Sequence, residues 1–291
     1  MRGTIVKGIA GFYYVKSEKQ VYQCRARGIF KKEGITPLVG DRVEFEPGTG
    51  TDEDDGWVTE IEGRKNQFIR PPVANVDCFV VVFAAAHPKP NLAVADRFLV
   101  MAEKSDTDII FCINKTDLDK KGMVQRLEEI YAPVYPIIRL SGTTGRGIEE
   151  LRQAIVGKRT ALAGPSGVGK STILNCLIPG ATAQTGDVSQ KTKRGKHTTR
   201  HCELFDLGNE TMIFDTPGFT SFEISDVEEE ELQHLYPEMR PFLGACRYDD
   251  CRHLKEPECA VRQAVEEGKI SSPRYESYQE QIAAIQANTR Y

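Results

Sequence analysis

Nowhere in the 291 residues is there a run of about eighteen apolar residues, the length a helix needs to cross a bilayer. A membrane-spanning protein is therefore not expected. The opening "MRGTIVKGIAGFYYV" is too strand-like and too broken by glycine to read as a secretory signal, so a cytoplasmic location is expected. Excess positive charge is missing too. The net charge is −4, which argues against indiscriminate nucleic-acid binding and confines any RNA contact to local patches. With no secretory signal expected, the eight cysteines do not read as a disulfide framework. Cys24, Cys78, Cys112, Cys176 and Cys202 are scattered, mostly in apolar or strand-like runs, as small core residues are. The other three gather near the C-terminus.

What is present divides into three segments, with boundaries placed at 1–68, 69–222 and 223–291. The first alternates short strand-like runs ("GTIVKGIAGFYYV", "VYQCRARGIF", "GDRVEFEP", "GWVTEIEGR") with turn residues, which predicts a small β-barrel, OB-like first and SH3-like second. Its acidic stretch "PGTGTDEDDG" reads as a solvated hairpin tip. Aromatics in "GFYY" and Phe30 suit either base stacking on an OB surface or the barrel core. From "VANVDCFVVVFAAAHP" onward, fully apolar strands alternate with helical stretches such as "NLAVADRFLVMAEKS". That texture predicts a parallel α/β sheet covered on both faces. The last segment, from "DVEEEELQHLYPEMRPFL", reads as mainly helical.

"GPSGVGKS", Gly164 to Ser171, fits G-x-x-x-x-G-K-[ST] between a strand and a helix. Gly164, Pro165, Ser166, Gly167, Val168 and Gly169 line such a loop, whose backbone N–H groups (Pro165 has none) cradle phosphates, and the helix opens with Lys170, Ser171 and Thr172. Lys170 is placed to reach the β- and γ-phosphates, and the Ser171 hydroxyl to ligate Mg²⁺. Downstream, "TMIFDTPG" ends an apolar strand at Asp215, suited to holding Mg²⁺ through water, with the Gly218 N–H toward a γ-phosphate. The basic "KTKRGKHTTRH" between them must supply a hydroxyl to Mg²⁺; Thr199 is the first choice and Thr198 the second.

The base reader is upstream. Asn114-Lys115-Thr116-Asp117 follows a buried strand, and the Asp117 carboxylate can accept from both guanine N1–H and the exocyclic amine, a pattern adenine lacks. Ser141-Gly142-Thr143 is similar to the S-A-K loop that touches the guanine edge. All five GTPase elements are thus present, but the base-reading pair precedes the phosphate loop. A parallel sheet tolerates that order: joining the old termini and opening the chain after D-x-x-G leaves every strand its neighbours. Near the C-terminus, Cys246, Cys251, His253 and Cys259 form C-x4-C-x-H-x5-C. Three thiolates and one imidazole suit a closed, tetrahedral, structural Zn²⁺ site, one ion per chain. Binding energy of the metal is expected to fold a segment too small to bury a core of its own, separate from that of the nucleotide motifs.

Barrel first, permuted motifs in the middle and a Cys/His cluster last, the chain resembles, over nearly its whole length, the circularly permuted ribosome-biogenesis GTPases of the RsgA (YjeQ/YloQ) type. The resemblance rests on Asn114–Asp117, Ser141–Thr143, Gly164–Ser171, "GKHTT" at 195–199, Asp215–Gly218 and the cluster at 246–259. It implies a GTPase that binds the small (30S) ribosomal subunit and its 16S rRNA late in maturation and is released on hydrolysis, as a monomer. Many GTPases follow D-x-x-G with a water-orienting Gln; here Phe219 stands there, as a hydrophobic residue does in that family. His197 is the nearest polar substitute, the alternative being an RNA or solvent contact. Two other readings, a P-loop small-molecule enzyme and a nucleic-acid-binding module with a merely structural nucleotide site, are opposed by N-K-T-D and by the intact Lys170, Ser171, Thr199 and Asp215.

Asp117→Asn puts an amide where guanine needs a carboxylate. GTP affinity should fall about 30-fold or more, the loss of one or two buried hydrogen bonds, with preference moving toward xanthine nucleotides. Unchanged GTP affinity would remove the base-reader assignment.

Overall fold

The computed structural model describes residues 1–48, 55–178, 202–216, 219 and 227–289. The chain forms two compact units: Met1–Phe79, Ile148–Leu162 and Ser171–Phe219 make one, and Val80–Gly147, Ala163–Lys170 and Thr220–Tyr291 the other.

The first unit begins with the barrel. Strands β1 (Arg2–Ile9), β2 (Phe12–Ser17), β3 (Gln20–Ala26), β4 (Arg42–Glu46) and β5 (Gly56–Ile61) pair in the order β1-β2-β3-β5-β4, and β4 returns to β1. The β1–β4 pairing, Arg2↔Glu44 to Thr4↔Arg42, closes the cylinder, and the β3–β5 contact is parallel. This is the OB-type topology. Period-two alternation fills it: Ile5, Val15, Val43, Phe45 and Val58 are all buried, as inward positions of half-buried strands should be. The short helix α1 (Gly28–Lys32) plugs it with Phe30, so that aromatic belongs to the core. Phe12, Tyr13 and Tyr14 are only half-buried, and the Arg25 guanidinium lies 4.5 Å over the Phe12 ring.

The exit from the barrel is held by charge. Asp41 is inaccessible and takes Arg64 on both carboxylate oxygens, 2.7 and 2.8 Å, together with the Leu38 N–H. Arg64 also donates to the Thr36 carbonyl. A hairpin follows, β6 (Gln67–Ile69) and β7 (Pro72–Ala74), and its Phe68 packs edge-on to Phe79 and Phe219, which also meet each other edge-on at 4.9 Å. Phe219, the residue after D-x-x-G, is therefore a core side chain with no access to solvent. In the same unit β13 (Thr211–Asp215) pairs in parallel with β11 (Arg159–Ala163) and antiparallel with β12 (Glu203–Gly208). Arg152 of helix α4 (Ile148–Ala154) donates to the Cys176 and Leu177 carbonyls at the end of α5 (Lys170–Leu177), satisfying acceptors a helix leaves open.

In the second unit β8 (Cys78–Ala84), β9 (Asp108–Asn114) and β10 (Ile137–Arg139) lie side by side, β10 parallel to β9. Every residue of β8 is buried. Helix α2 (Leu92–Lys104) starts where Asn91 caps the Val94 N–H and buries Ala95, Asp96, Phe98, Leu99, Val100 and Ala102. Helix α3 (Met123–Tyr131) stacks Tyr131 on Phe111, centroids 4.2 Å apart.

The C-terminal segment is mainly helical, with α6 (Glu229–Leu232), two 3₁₀ turns, α7 (Ala260–Glu266) and α8 (Ser272–Thr289). It differs from expectation in one respect: its core is not separate. Val100 of α2 is buried in the same cluster as Leu235, Tyr236, Met239, Cys251, Cys259, Val261, Tyr278 and Ile282. Its acidic run is also engaged with α2, Lys104 pairing with Glu231 at 2.6 Å.

Asp41→Ala should lower stability by about 3 kcal/mol, because Arg64 and the Leu38 N–H lose their acceptor in a water-poor site. Chemical denaturation compared with the parent measures it; a change within experimental error would leave the barrel exit held by packing alone.

Candidate functional site

Strand β9 ends in Asn114, 2% exposed, and the chain must turn sharply to leave the sheet. Lys115 makes the turn in the left-handed region (φ 59°) and Thr116–Leu118 follow as a 3₁₀ turn that leaves Asp117 exposed. The Asn114 amide does two things at once: Nδ2 donates to the Val168 carbonyl of the phosphate loop at 2.8 Å, and Oδ1 accepts from the Gly142 N–H at 3.1 Å. Lys115 Nζ crosses the phosphate loop and donates to the carbonyls of Gly167 (2.7 Å) and His87. Thr116 ties in the base loop, its N–H and its hydroxyl both donating to the Leu140 carbonyl. Ser141 is inaccessible, its hydroxyl accepting from the Thr144 N–H, while Thr143 is exposed. Base reader, base loop and phosphate loop are thereby one hydrogen-bonded body.

The phosphate loop fits there only because of its glycines. Gly164 (φ 139°) lies so close to the Val82 carbonyl that a Cβ would sit 2.3 Å from it. Gly169 (φ 100°) would set a Cβ 2.3 Å from Asn114 Nδ2. Backbone in this region costs any other residue strain, and here there is no space either. Val168 anchors the loop by burial, Ser166 and Gly167 are exposed, and Pro165 is half-buried. Lys170 folds back over the loop, Nζ donating to the carbonyls of Gly164 (2.6 Å) and Pro165 (2.8 Å). Partial burial pulls its pKa down to about 8, a charge that anionic phosphate oxygens would restore. Ser171 and Thr172 follow in the first turn of α5, Ser171 exposed. Asp215 ends β13, paired in register with Glu203. His197, Thr198, Thr199 and Gly218 lie outside the described residues.

The Cys/His cluster closes on itself. Thiol sulfurs of Cys246, Cys251 and Cys259 lie 3.5, 3.4 and 3.3 Å from His253 Nδ1, and Cys246 Sγ is 3.9 Å from Cys259 Sγ. All four ligand atoms fall within 4.8 Å of one another. Tetrahedral Zn²⁺ with ordinary bond lengths needs S···S of about 3.8 Å and S···N of about 3.5 Å, so the donor set fits zinc. Burial pushes the Cys251 thiol up to about 12, raises that of Cys259 and lowers the imidazole of His253.

Residues 2–58 match the RsgA N-terminal domain and residues 61–225 the RsgA GTPase domain. A small ribosomal subunit biogenesis GTPase RsgA from Alkaliphilus metalliredigens is 47% identical over all of this chain and 99% of its own length. The chain belongs to the RsgA GTPase family. An RsgA of the same description from Geobacillus kaustophilus is 43% identical over 97% of each chain. Among solved structures, YjeQ from Thermotoga maritima superposes with a TM-score of 0.84 at 37% identity, covering 98% of both chains. YloQ, described as a circularly permuted GTPase, gives 0.81 at 38% identity, over 99% of this chain and 95% of its own.

Two residues of this RsgA-family chain carry contacts that sequence reasoning passed over. One is Gln233, whose Oε1 lies 2.8 Å from His253 Nε2. A proton held there by the amide leaves the Nδ1 lone pair facing the three thiols, the usual outer support of a ligating imidazole. Nothing local marks it, since Gln233 lies 20 residues from its partner. The other is Arg274, fully buried near the start of α8.

Purified protein should carry about one zinc per chain. Because at least two buried thiols must lose protons to bind, apparent zinc affinity should climb about a hundredfold per pH unit between pH 6 and 8. Metal analysis and chelator competition across that range test it; an affinity flat in pH, or no zinc, would count against the site.

Proposed function

We propose that this RsgA-family GTPase hydrolyses GTP at the site framed by Lys170 and Asp117 while bound to the small (30S) ribosomal subunit, and that hydrolysis promotes its release late in subunit maturation. One observation carries the reading of the ligand. The Asn114 amide and the Lys115 ammonium bind base reader, base loop and phosphate loop into one frame, which fits a ligand having both a guanine edge and a phosphate chain. Support for the partner comes from the names of relatives that align from end to end, barrel and Cys/His segment included, as small ribosomal subunit biogenesis GTPases.

In this reading Asn114, Lys115, Asp117 and Ser141–Thr143 hold guanine, and Gly164–Thr172 with Gly218 hold the phosphates. Lys170 faces charge developing on the transferred phosphoryl group. Ser171, Thr199 and Asp215 hold Mg²⁺, which supplies further neutralisation of that charge when bound. Phe219 is buried and cannot orient water, so the role passes to His197 beside Thr199. Cys246, Cys251, His253 and Cys259 hold zinc as a structural ion. Three domains, 1–68, 69–222 and 223–291, divide the work of a cytoplasmic monomer, the first and last offering surfaces to 16S rRNA. No helix among the described residues is long and apolar enough to cross a membrane.

GTP turnover measured with and without purified small subunits is the test. Intrinsic turnover should be slow, and subunits should raise it. Lys170→Ala should cost at least about a hundredfold in both conditions. Parent-level hydrolysis by that variant would exclude the phosphate loop as the active site, and turnover indifferent to subunits would exclude the partner.

A further inference from the structure

Arg274 is the largest fully buried side chain of the molecule among those described. It sits in the first turns of α8, in a stretch ("SPRYESYQEQ") that reads as polar and exposed. Its guanidinium donates to Asp96 Oδ1 of α2 at 2.6 Å and takes Glu238 as a fork, 2.6 and 3.0 Å. The guanidinium carbon lies 4.6 Å from the Tyr236 ring centroid, 5.7 Å from Tyr131 and 5.6 Å from Tyr135. Asp96 is itself inaccessible. Withdrawal of Arg274 would strand buried carboxylates without a counter-charge, a heavily penalised state, so this turn of α8 is either seated or displaced, with little in between.

The same turn grips the metal loop. Tyr275 donates its hydroxyl to the carbonyl of His253 at 2.6 Å, and Tyr278 donates to that of Arg252 at 3.0 Å. Tyr278 also meets Tyr236 edge-on at 5.4 Å. On the other side, Tyr131 ends α3 and Tyr135 leads into β10, which runs directly to Leu140 and Ser141 of the base loop. Metal-loop backbone, Tyr275 and Tyr278, Arg274, then Asp96 of α2 and Tyr131 of α3, which stacks on Phe111 of β9: the contacts are contiguous from the Cys/His cluster to the strand that ends in Asn114.

We propose that Arg274 is a positioning residue for guanine binding, through which the folded state of the metal loop sets the affinity of the base-reading half for guanine nucleotide. The proposal rests on the guanine and zinc assignments above and adds a linkage between them. Bound zinc fixes the carbonyls of Arg252 and His253; these seat α8, and seated Arg274 fixes α2 and α3. Removing zinc unseats the turn and loosens both helices. By reciprocity, guanine nucleotide tightens the hold on zinc.

Metal content and GDP affinity of the untreated full chain are measured first; absence of either overturns the proposal together with the assignment it rests on. Hydrogen exchange is then followed before and after zinc is stripped with a chelator. Faster exchange is expected in residues 92–104 and 123–139 as well as in 227–289, and GDP affinity should fall about tenfold, a common size for coupling between sites. In Arg274→Lys, which keeps the charge but cannot span Asp96 and Glu238 together, GDP affinity should already be lowered with zinc bound and should fall little further on chelation. A merely structural Arg274 would make the two losses additive. Exchange that quickens only within 227–289 with GDP affinity unchanged, or full zinc dependence retained in the variant, overturns the proposal; the exchange experiment on the parent chain decides it even if the variant does not fold.

Discussion

The nucleotide half of the molecule depends on one buried amide. Asn114 is 2% exposed, and its two polar atoms hold two different loops: Val168 of the phosphate loop and Gly142 of the base loop. An amide is the side-chain group that can donate and accept at once from a single planar head. A carboxylate at this position could not donate, and an aliphatic residue would take one hydrogen bond from the buried Val168 carbonyl and one from the half-buried Gly142 N–H, at a cost of about 1–3 kcal/mol each. Gly169 is shaped around that head, since its missing Cβ is what lets Nδ2 approach. Order of motifs along the chain is irrelevant to such an arrangement; only strand neighbours matter, and parallel pairing of β9 with β10 and of β11 with β13 keeps them.

Phe219 shows how a substitution can be legible in one sense and hidden in another. That it cannot orient water follows from its chemistry. That it forms an aromatic trio with Phe68 and Phe79 depends on the hairpin after the barrel. The residue after D-x-x-G is thereby anchored in the core of its unit, at edge-to-face distances that favour aromatic rings.

Charge burial organises the rest. Asp41 with Arg64 and Asp77 with Arg159 brace the first unit, and Arg274 with Asp96 and Glu238 braces the second. Such pairs add little net stability over apolar packing, but breaking one is costly; they fix geometry more than they add energy. The C-terminal segment is part of a larger core, with Val100 of α2 inside its apolar cluster, and the expectation of a separate core does not hold.

By itself the sequence determined what depends on contiguous residues. The phosphate loop, the base reader, the Cys/His spacing and the barrel's alternation each require particular residue types within a few positions, because a backbone cradle, a turn, a metal loop and a pleated strand are local objects. Family and fold followed from them. Tertiary structure alone decided that Phe30 is core, that the Asn114 amide is shared between two loops, that Gln233 backs His253, and that Arg274 is buried. Arg274 and Asp96 are 178 residues apart. A polar residue in a polar helix carries no mark of burial, since what makes burial tolerable is a counter-charge supplied by another element, and that partner is chosen by packing.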